Sequence, residues 1–206
     1  MNGKTRFSGQ NQTLLRLLIL AGFFLVGVCL GQAAALRVPS SAGSELHKYL
    51  ADFLRLEGGV VPGPETVLST VLLYFRYPLL AVLLGFASLG LALLPCLSAA
   101  FGFFLSFSVC CFTAAFGAEG VLLALAVFGL RCVVTLPCFF LLALPAWNAS
   151  AVLMALSSGK GKHVAVYDRG WLKRLGAVML VLFAGVCVEL LLSPKLVRLA
   201  LTRALY

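Results

Sequence analysis

The chain has 206 residues, of which 62% are hydrophobic and only 11% are charged, and its formal net charge is +9. Soluble domains carry roughly a quarter of charged residues, so this chain cannot cover its own apolar surface in water, and an ordinary soluble enzyme is excluded. The basic residues flank long apolar runs instead of forming an RNA- or DNA-binding motif, which makes the charge a signal of membrane topology and argues against nucleic acid as a partner.

The first apolar run predicts a membrane helix over residues 14–36. A basic start precedes uncharged sequence from Leu17 to Leu36, and about 20 apolar residues suffice to cross a bilayer. A cleaved signal peptide is the alternative, because Ala33-Ala34-Ala35 resembles a signal-peptidase site.

Residues 37–76 are predicted to form a loop on the outer side of the membrane, with balanced charge. Apolar residues recur there at helical spacing behind Ser44, which fits an N-cap. We expect a short amphipathic helix, which either packs on the protein's own outer face or binds a partner. The candidates for partner binding are Leu50, Phe53 and Leu54.

Two further helices are predicted over residues 77–94 and 96–116. No charged residue occurs between Arg76 and Glu119, a distance long enough for two crossings. Pro95 falls near the middle and fits a tight turn, because proline lacks an amide proton and disfavours helix at the residue before it.

The next apolar stretch, 121–158, contains Arg131, Pro137 and Pro145. It fits one long broken helix, two crossings, or a short re-entrant helix followed by one crossing. Lys and Arg are concentrated directly after it, and basic loops favour the cytoplasmic side. Because the amino terminus is also basic, a single net crossing is expected here.

The last apolar run predicts a helix over 175–193, followed by an outer tail from Pro194 that has the pattern of an interfacial amphipathic helix. The chain is thus expected to be one all-α membrane domain. Its predicted fold is a polytopic transmembrane helical bundle of about five spanning helices, with a broken or re-entrant segment before Pro137. The amino terminus is predicted to be cytoplasmic and the carboxyl terminus to lie outside.

Small residues at every fourth position predict close helix packing in the first and third helices. Such ridges let neighbouring helices approach each other, either within the bundle or in an oligomer or partner contact. A homo-oligomer is therefore an open expectation. The predicted packing residues are Gly27, Gly31, Ser98, Gly102, Ser106, Cys110 and Ala114.

Arg131 is the residue whose burial in the membrane is least favourable, since insertion scales assign a central arginine about 2.5–3.5 kcal/mol. Glu189 is the best-placed acid to pair with it, and Glu119 is the second. The pattern fits a structural ion pair or a snorkelling arginine, and alternatively a transport or gating residue.

No catalytic or metal site is expected. So few polar residues cannot supply a nucleophile, a base and an orienting group, and we expect no cofactor. His47 and His163 lie on different loops. Seven cysteines lie inside apolar stretches without zinc-site or disulfide spacing, and they are interpreted as small buried apolar residues: Cys29, Cys96, Cys110, Cys111, Cys132, Cys138 and Cys187.

The order of these segments resembles the stage II sporulation protein M family. The resemblance rests on an amino-terminal helix, an aromatic patch (Tyr74-Phe75-Arg76-Tyr77), a Leu94-Pro95 step before a Gly- and Phe-rich helix, a Leu136-Pro137 step, a basic loop, and a last helix closing with Glu189 and Ser193-Pro194. It covers nearly the whole chain. Arg131 stands where some relatives have an uncharged polar residue.

The resemblance implies a multi-pass cell-membrane protein of endospore-forming bacteria, located at the sporulation septum. It implies a scaffold that localises the engulfment machine, with the stage II sporulation proteins D and P, which degrade peptidoglycan, as partners. The family offers no catalytic residues. The competing interpretation is a transporter or permease subunit that needs a partner, for which Arg131 and the broken fourth helix would be the relevant features.

Overall fold

The computed structural model describes residues 3–37, 64–117, 121, 124–157 and 169–204. These residues form five long helices: α1 (Gly3–Ala35), α2 (Pro64–Gly85), α3 (Gly90–Phe116), α4 (Leu130–Ser157) and α5 (Arg169–Ala204). A short π-helical segment, Leu125–Gly129, leads directly into α4. Each of the five helices contains a stretch long and apolar enough to cross a membrane. The predicted all-α bundle with five spanning helices is therefore confirmed.

The predicted turn between the second and third helices is in the wrong place. The chain turns over residues 86–89, whereas Pro95 lies inside α3. Helix α2 begins at Pro64, so residues 64–76 belong to a helix and not to the loop assigned to 37–76. A single proline removes only one backbone hydrogen bond, and neighbouring helices can compensate for that loss in membrane helices.

The stretch predicted over 121–158 contains a single crossing. Helix α4 continues from Leu130 to Ser157 through both Pro137 and Pro145. Among the described residues of this stretch, the irregular backbone is the π-helical segment before Arg131. Such single-turn bulges arise inside helices where one extra residue is accommodated, often near functional groups.

The first and last helices are longer than the predicted ranges 14–36 and 175–193. Helix α1 begins at Gly3, and α5 extends from Arg169 to Ala204 without a break at Pro194. The tail expected as a separate interfacial helix is continuous with α5. Charge-free length underestimates helix length because a helix continues through the headgroup region, where charged side chains are solvated. Residues 38–63 lie outside the described part of the chain.

Helix α4 is the centre of the bundle. Its Phe139, Ala143 and Ala146 pack in one apolar cluster with α1, α2 and α3. Its Cys138 and Leu142 pack in a second cluster with α2 and α5. Helix α1 packs mainly on α3, away from the second cluster. The outer faces of the helices expose many large apolar side chains, as a lipid-facing surface requires.

Candidate functional site

A charged pair joins α4 and α5 at one end of the bundle. The Nη2 atom of Arg131 donates a hydrogen bond to Oε1 of Glu189, and its Nε donates a longer one of 3.4 Å to Oε2. The two side chains expose only 18% and 8% of their surface, so the pair is largely shielded. Two-point contact between guanidinium and carboxylate neutralises both charges in a low-dielectric setting. The structure thus places Arg131 against Glu189, the acid that the sequence analysis named as its best-placed partner.

Tyr74 of α2 is the third member of this site. The guanidinium carbon of Arg131 lies 5.7 Å from the centre of the Tyr74 ring, within the range of a cation–π contact. Tyr74 is fully buried, and its hydroxyl has no hydrogen-bond partner in the described part of the chain. The Glu189 carboxylate lies near enough to interact with it electrostatically. This site therefore combines an ion pair with a buried tyrosine hydroxyl that has no hydrogen bond to a described residue.

Sequence reasoning placed Tyr74 only in an aromatic patch and missed its contact with Arg131. Nothing in the sequence fixes the rotation of α2 relative to α4. The available signal was the polar hydroxyl on an otherwise apolar helix face, since buried tyrosines usually bring their hydroxyl to a polar partner. The second acid considered for Arg131, Glu119, lies outside the described residues.

The closest helix contact joins α1 and α3. A Cβ atom at Gly27 would overlap the backbone of Ala99, and one at Gly102 would overlap the carbonyl of Phe24. Gly31 approaches the backbone at Phe103 in the same way. Small-residue steps of this kind let two helix backbones touch, which is the arrangement that GxxxG patterns favour in membranes.

Serines on α3 extend the same contact. Ser98 is fully buried, and its Oγ donates a hydrogen bond of 2.9 Å to the Leu20 carbonyl oxygen of α1. Ser106 is also buried and lies against Gly31. The ridge fades toward the end of α3, where Cys110 is half-buried and Ala114 is exposed. The contact therefore involves the first five of the seven predicted packing residues.

A second serine hydroxyl, on α4, contacts the turn between α2 and α3. The single hydroxyl hydrogen of Ser150 in α4 lies between the carbonyl oxygens of Leu84, at 2.9 Å, and of Ala87, at 2.7 Å, and is shared by them. Gly90, the first residue of α3, lies so close to Leu84 and Ser150 that no side chain fits there. Each of these carbonyl oxygens also accepts a backbone N–H, from Ala87 and from Gly90, so the hydroxyl adds a contact between α4 and the turn. Sequence analysis missed this role of Ser150.

Arg76 follows Tyr74 by two residues in α2. It lies beside a cavity of about 200 Å³ between α2, α3 and α4. Its guanidinium carbon lies 5.3 Å from the ring centre of Tyr77 and 5.6 Å from that of Phe104. Arg131 lines the same cavity. Two arginines thus border one recess in the membrane-spanning part of the bundle.

Other predicted groups give no further site. All seven cysteines are free thiols, but Cys29, Cys96 and Cys187 are exposed, so their interpretation as buried residues is wrong. Within the described ranges, no three His, Cys, Asp or Glu side chains lie close enough together to hold a metal ion. The predicted partner-binding residues Leu50, Phe53 and Leu54 lie outside the described residues.

These features define a multi-pass helical membrane protein, held together by close helix contacts and by the ion pair between Arg131 and Glu189. Comparisons with protein families, with curated proteins and with solved structures gave no match for this chain.

Proposed function

We propose that this protein is an integral membrane scaffold of the peptidoglycan-degrading engulfment complex in sporulation. In this role it localises partner hydrolases, the stage II sporulation proteins D and P, at the septal membrane. The proposal starts from the resemblance to the stage II sporulation protein M family, and it assigns no catalytic role to this chain.

The observation that carries the proposal is the close packing of the bundle. At Gly27 and Gly102 the backbones of α1 and α3 are in contact, and Ser150 of α4 hydrogen-bonds to the α2–α3 turn. The charge of Arg131 is neutralised by Glu189. A bundle built in this way presents fixed surfaces to partners, which is what a scaffold requires.

The partner surface in this proposal is the predicted amphipathic segment on the outer side, where cell-wall enzymes act. The membrane orientation, with the amino terminus in the cytoplasm, is part of the proposal and follows from the distribution of basic residues. Apolar residues of an amphipathic helix are the usual anchors in a groove of a partner.

The test is co-purification from sporulating cells, with the partner enzymes located by fluorescence. Loss of the protein is expected to leave the hydrolases mislocalised but active. Replacing Leu50, Phe53 and Leu54 together by Ser is expected to weaken recruitment while membrane insertion is retained. Lys48→Ser with Arg55→Ser is the matched control, because it changes polar positions of the same segment. Normal recruitment by the triple variant would contradict the proposal.

A transporter or permease subunit is the second candidate, favoured by the intramembrane pair of Arg131 and Glu189 and by the neighbouring cavity. Polar residues that face a cavity within the membrane often mark a substrate pathway. Purified protein in liposomes distinguishes the two candidates. Solute flux by the protein alone, lost in Glu189→Gln, would replace the scaffold with a transporter.

A further inference from the structure

Counting the described residues, the cavity beside Arg76 has an unbalanced positive charge. Arg131 on its wall is already neutralised by Glu189. Arg76 has no carboxylate partner among the described residues, and its guanidinium lies over the rings of Tyr77 and Phe104. The nearest acid along α2, Glu65, is about 16 Å away along the helix axis. A cavity with one free guanidinium attracts an anion.

A hydroxyl faces the same cavity without a partner. Ser108 of α3 lines the cavity and makes no hydrogen bond to any described residue. Serines within helices commonly donate to the carbonyl four residues earlier, and Thr113 of the same helix does so with Val109. Among the described residues, Ser108 has no such acceptor and offers a donor on the wall of the cavity that Arg76 also lines.

The cavity opens toward lipid. Leu73 and Phe104 line it, and their side chains are 44% and 48% exposed on the outer face of the bundle. Arg76 lies about 18 Å from the start of α2. Helical side chains tilt toward the amino-terminal end of their helix, and long basic ones extend their charge toward the membrane surface. Arg131 of the ion pair, at the start of α4, lines the same cavity.

We propose that this cavity binds the phosphate of an anionic membrane lipid, with Arg76 as the main contact and Ser108 as a second donor. A guanidinium matches a phosphate through two parallel hydrogen bonds, and basic pockets between membrane helices hold lipid headgroups in this way. The exposed Leu73 and Phe104 side chains then contact the acyl chains. A volume of about 200 Å³ admits the phosphate and its glycerol ester but not a whole lipid. The site is independent of the scaffold proposal.

The test uses the purified full-length protein in detergent, titrated with phosphatidylglycerol while its melting temperature is recorded. The lipid is expected to raise the melting temperature of the wild type, and diacylglycerol, which lacks phosphate, is not. Arg76→Gln is expected to weaken the apparent affinity at least about tenfold. Arg37→Gln, at an exposed position after α1 and away from the cavity, is the matched control and is expected to bind normally.

Ser108→Ala keeps the test decisive if Arg76→Gln does not fold, because it removes one hydroxyl only. Its expected effect is an affinity lower by about threefold. Equal binding by the wild type, Arg76→Gln and Ser108→Ala would overturn the site. Inorganic phosphate that stabilises the protein as well as the lipid does would overturn the lipid as the source of the phosphate. An absence of any response to phosphatidylglycerol would point to an acidic helix of a protein partner and would also overturn the proposal.

Discussion

Gly102 of α3 lies directly against the backbone carbonyl of Phe24 in α1, so closely that a single added methyl group would overlap it. The two helices are not neighbours in the chain, yet they form the closest pairing in the bundle. Backbone contact of this kind depends on shape, because apolar side chains gain little by leaving lipid for another apolar surface.

Gly102→Ala should therefore destabilise the protein, by about 1–3 kcal/mol, because the added carbon has no space between two backbones. The matched control is Gly22→Ala in α1, where a Cβ meets nothing within 4 Å. That control should be neutral or stabilising, since alanine favours helix over glycine by up to about 1 kcal/mol. Thermal unfolding in detergent measures the stability of both variants. Equal losses of stability would show that the α1–α3 contact does not cause the effect of Gly102→Ala.

Glu189→Leu should be strongly destabilising, by about 3–5 kcal/mol, because it leaves the Arg131 guanidinium buried without its carboxylate. The double variant Arg131→Leu with Glu189→Leu should be more stable than Glu189→Leu, since no charge then remains unpaired. A double-mutant cycle on unfolding measures the coupling. A double variant whose loss equals the sum of the two single losses would show that the pair is not coupled.

Tyr74→Phe should leave stability unchanged or raise it. The ring that contacts Arg131 is retained, while a buried hydroxyl without a hydrogen bond in the described part of the chain is removed. Tyr74→Leu removes the ring as well and should destabilise the protein clearly. If the phenylalanine variant melted as low as the leucine variant, the hydroxyl would be bonded, with the Glu189 carboxylate as the acceptor.

Ser150→Ala should lower stability by about 0.5–1.5 kcal/mol, because the hydroxyl that joins α4 to the carbonyls of the α2–α3 turn is lost. Ser157→Ala, at the exposed end of the same helix, is the matched control and should have little effect. Hydrogen exchange of the amides at 86–90 gives a second, local readout. Unchanged exchange rates in Ser150→Ala would show that the Ser150 hydroxyl does not stabilise the turn.

Counting only the described spans, four cross the membrane before the basic segment that follows Ser157, and a fifth follows it. A reporter fused at His163 should therefore lie on the same side as the amino terminus, and one fused after Tyr206 on the opposite side. Basic residues favour the cytoplasm as the side on which the amino terminus and His163 lie. Activity of an external-side reporter at His163 would contradict the proposed orientation.

The five spans were predictable from sequence because a long charge-free run has few alternatives to a membrane helix. The turn between α2 and α3 was not, since Arg76 was treated as a boundary and Pro95 as a breaker. Arg76 is instead accommodated inside α2 by the rings of Tyr77 and Phe104. Gly85 and Gly90, which flank the true turn, were the better signal.

The partner of Arg131 was predictable because few acids lie within reach of the membrane region. The positions of Tyr74 and Ser150 were not, because the rotation of one helix relative to another depends on packing across the whole bundle. Local periodicity does not contain that information. The cavity beside Arg76 could not be foreseen for the same reason.

The ion pair also imposes an order on biogenesis. Glu189 follows Arg131 by 58 positions in the chain, so the ribosome makes the arginine before its acid. Until α5 arrives, α4 carries an uncompensated charge, which favours the translocation channel or water over lipid. A nascent chain that stops short of Glu189 would keep that exposed charge, and membrane quality-control proteases could distinguish it from the finished protein.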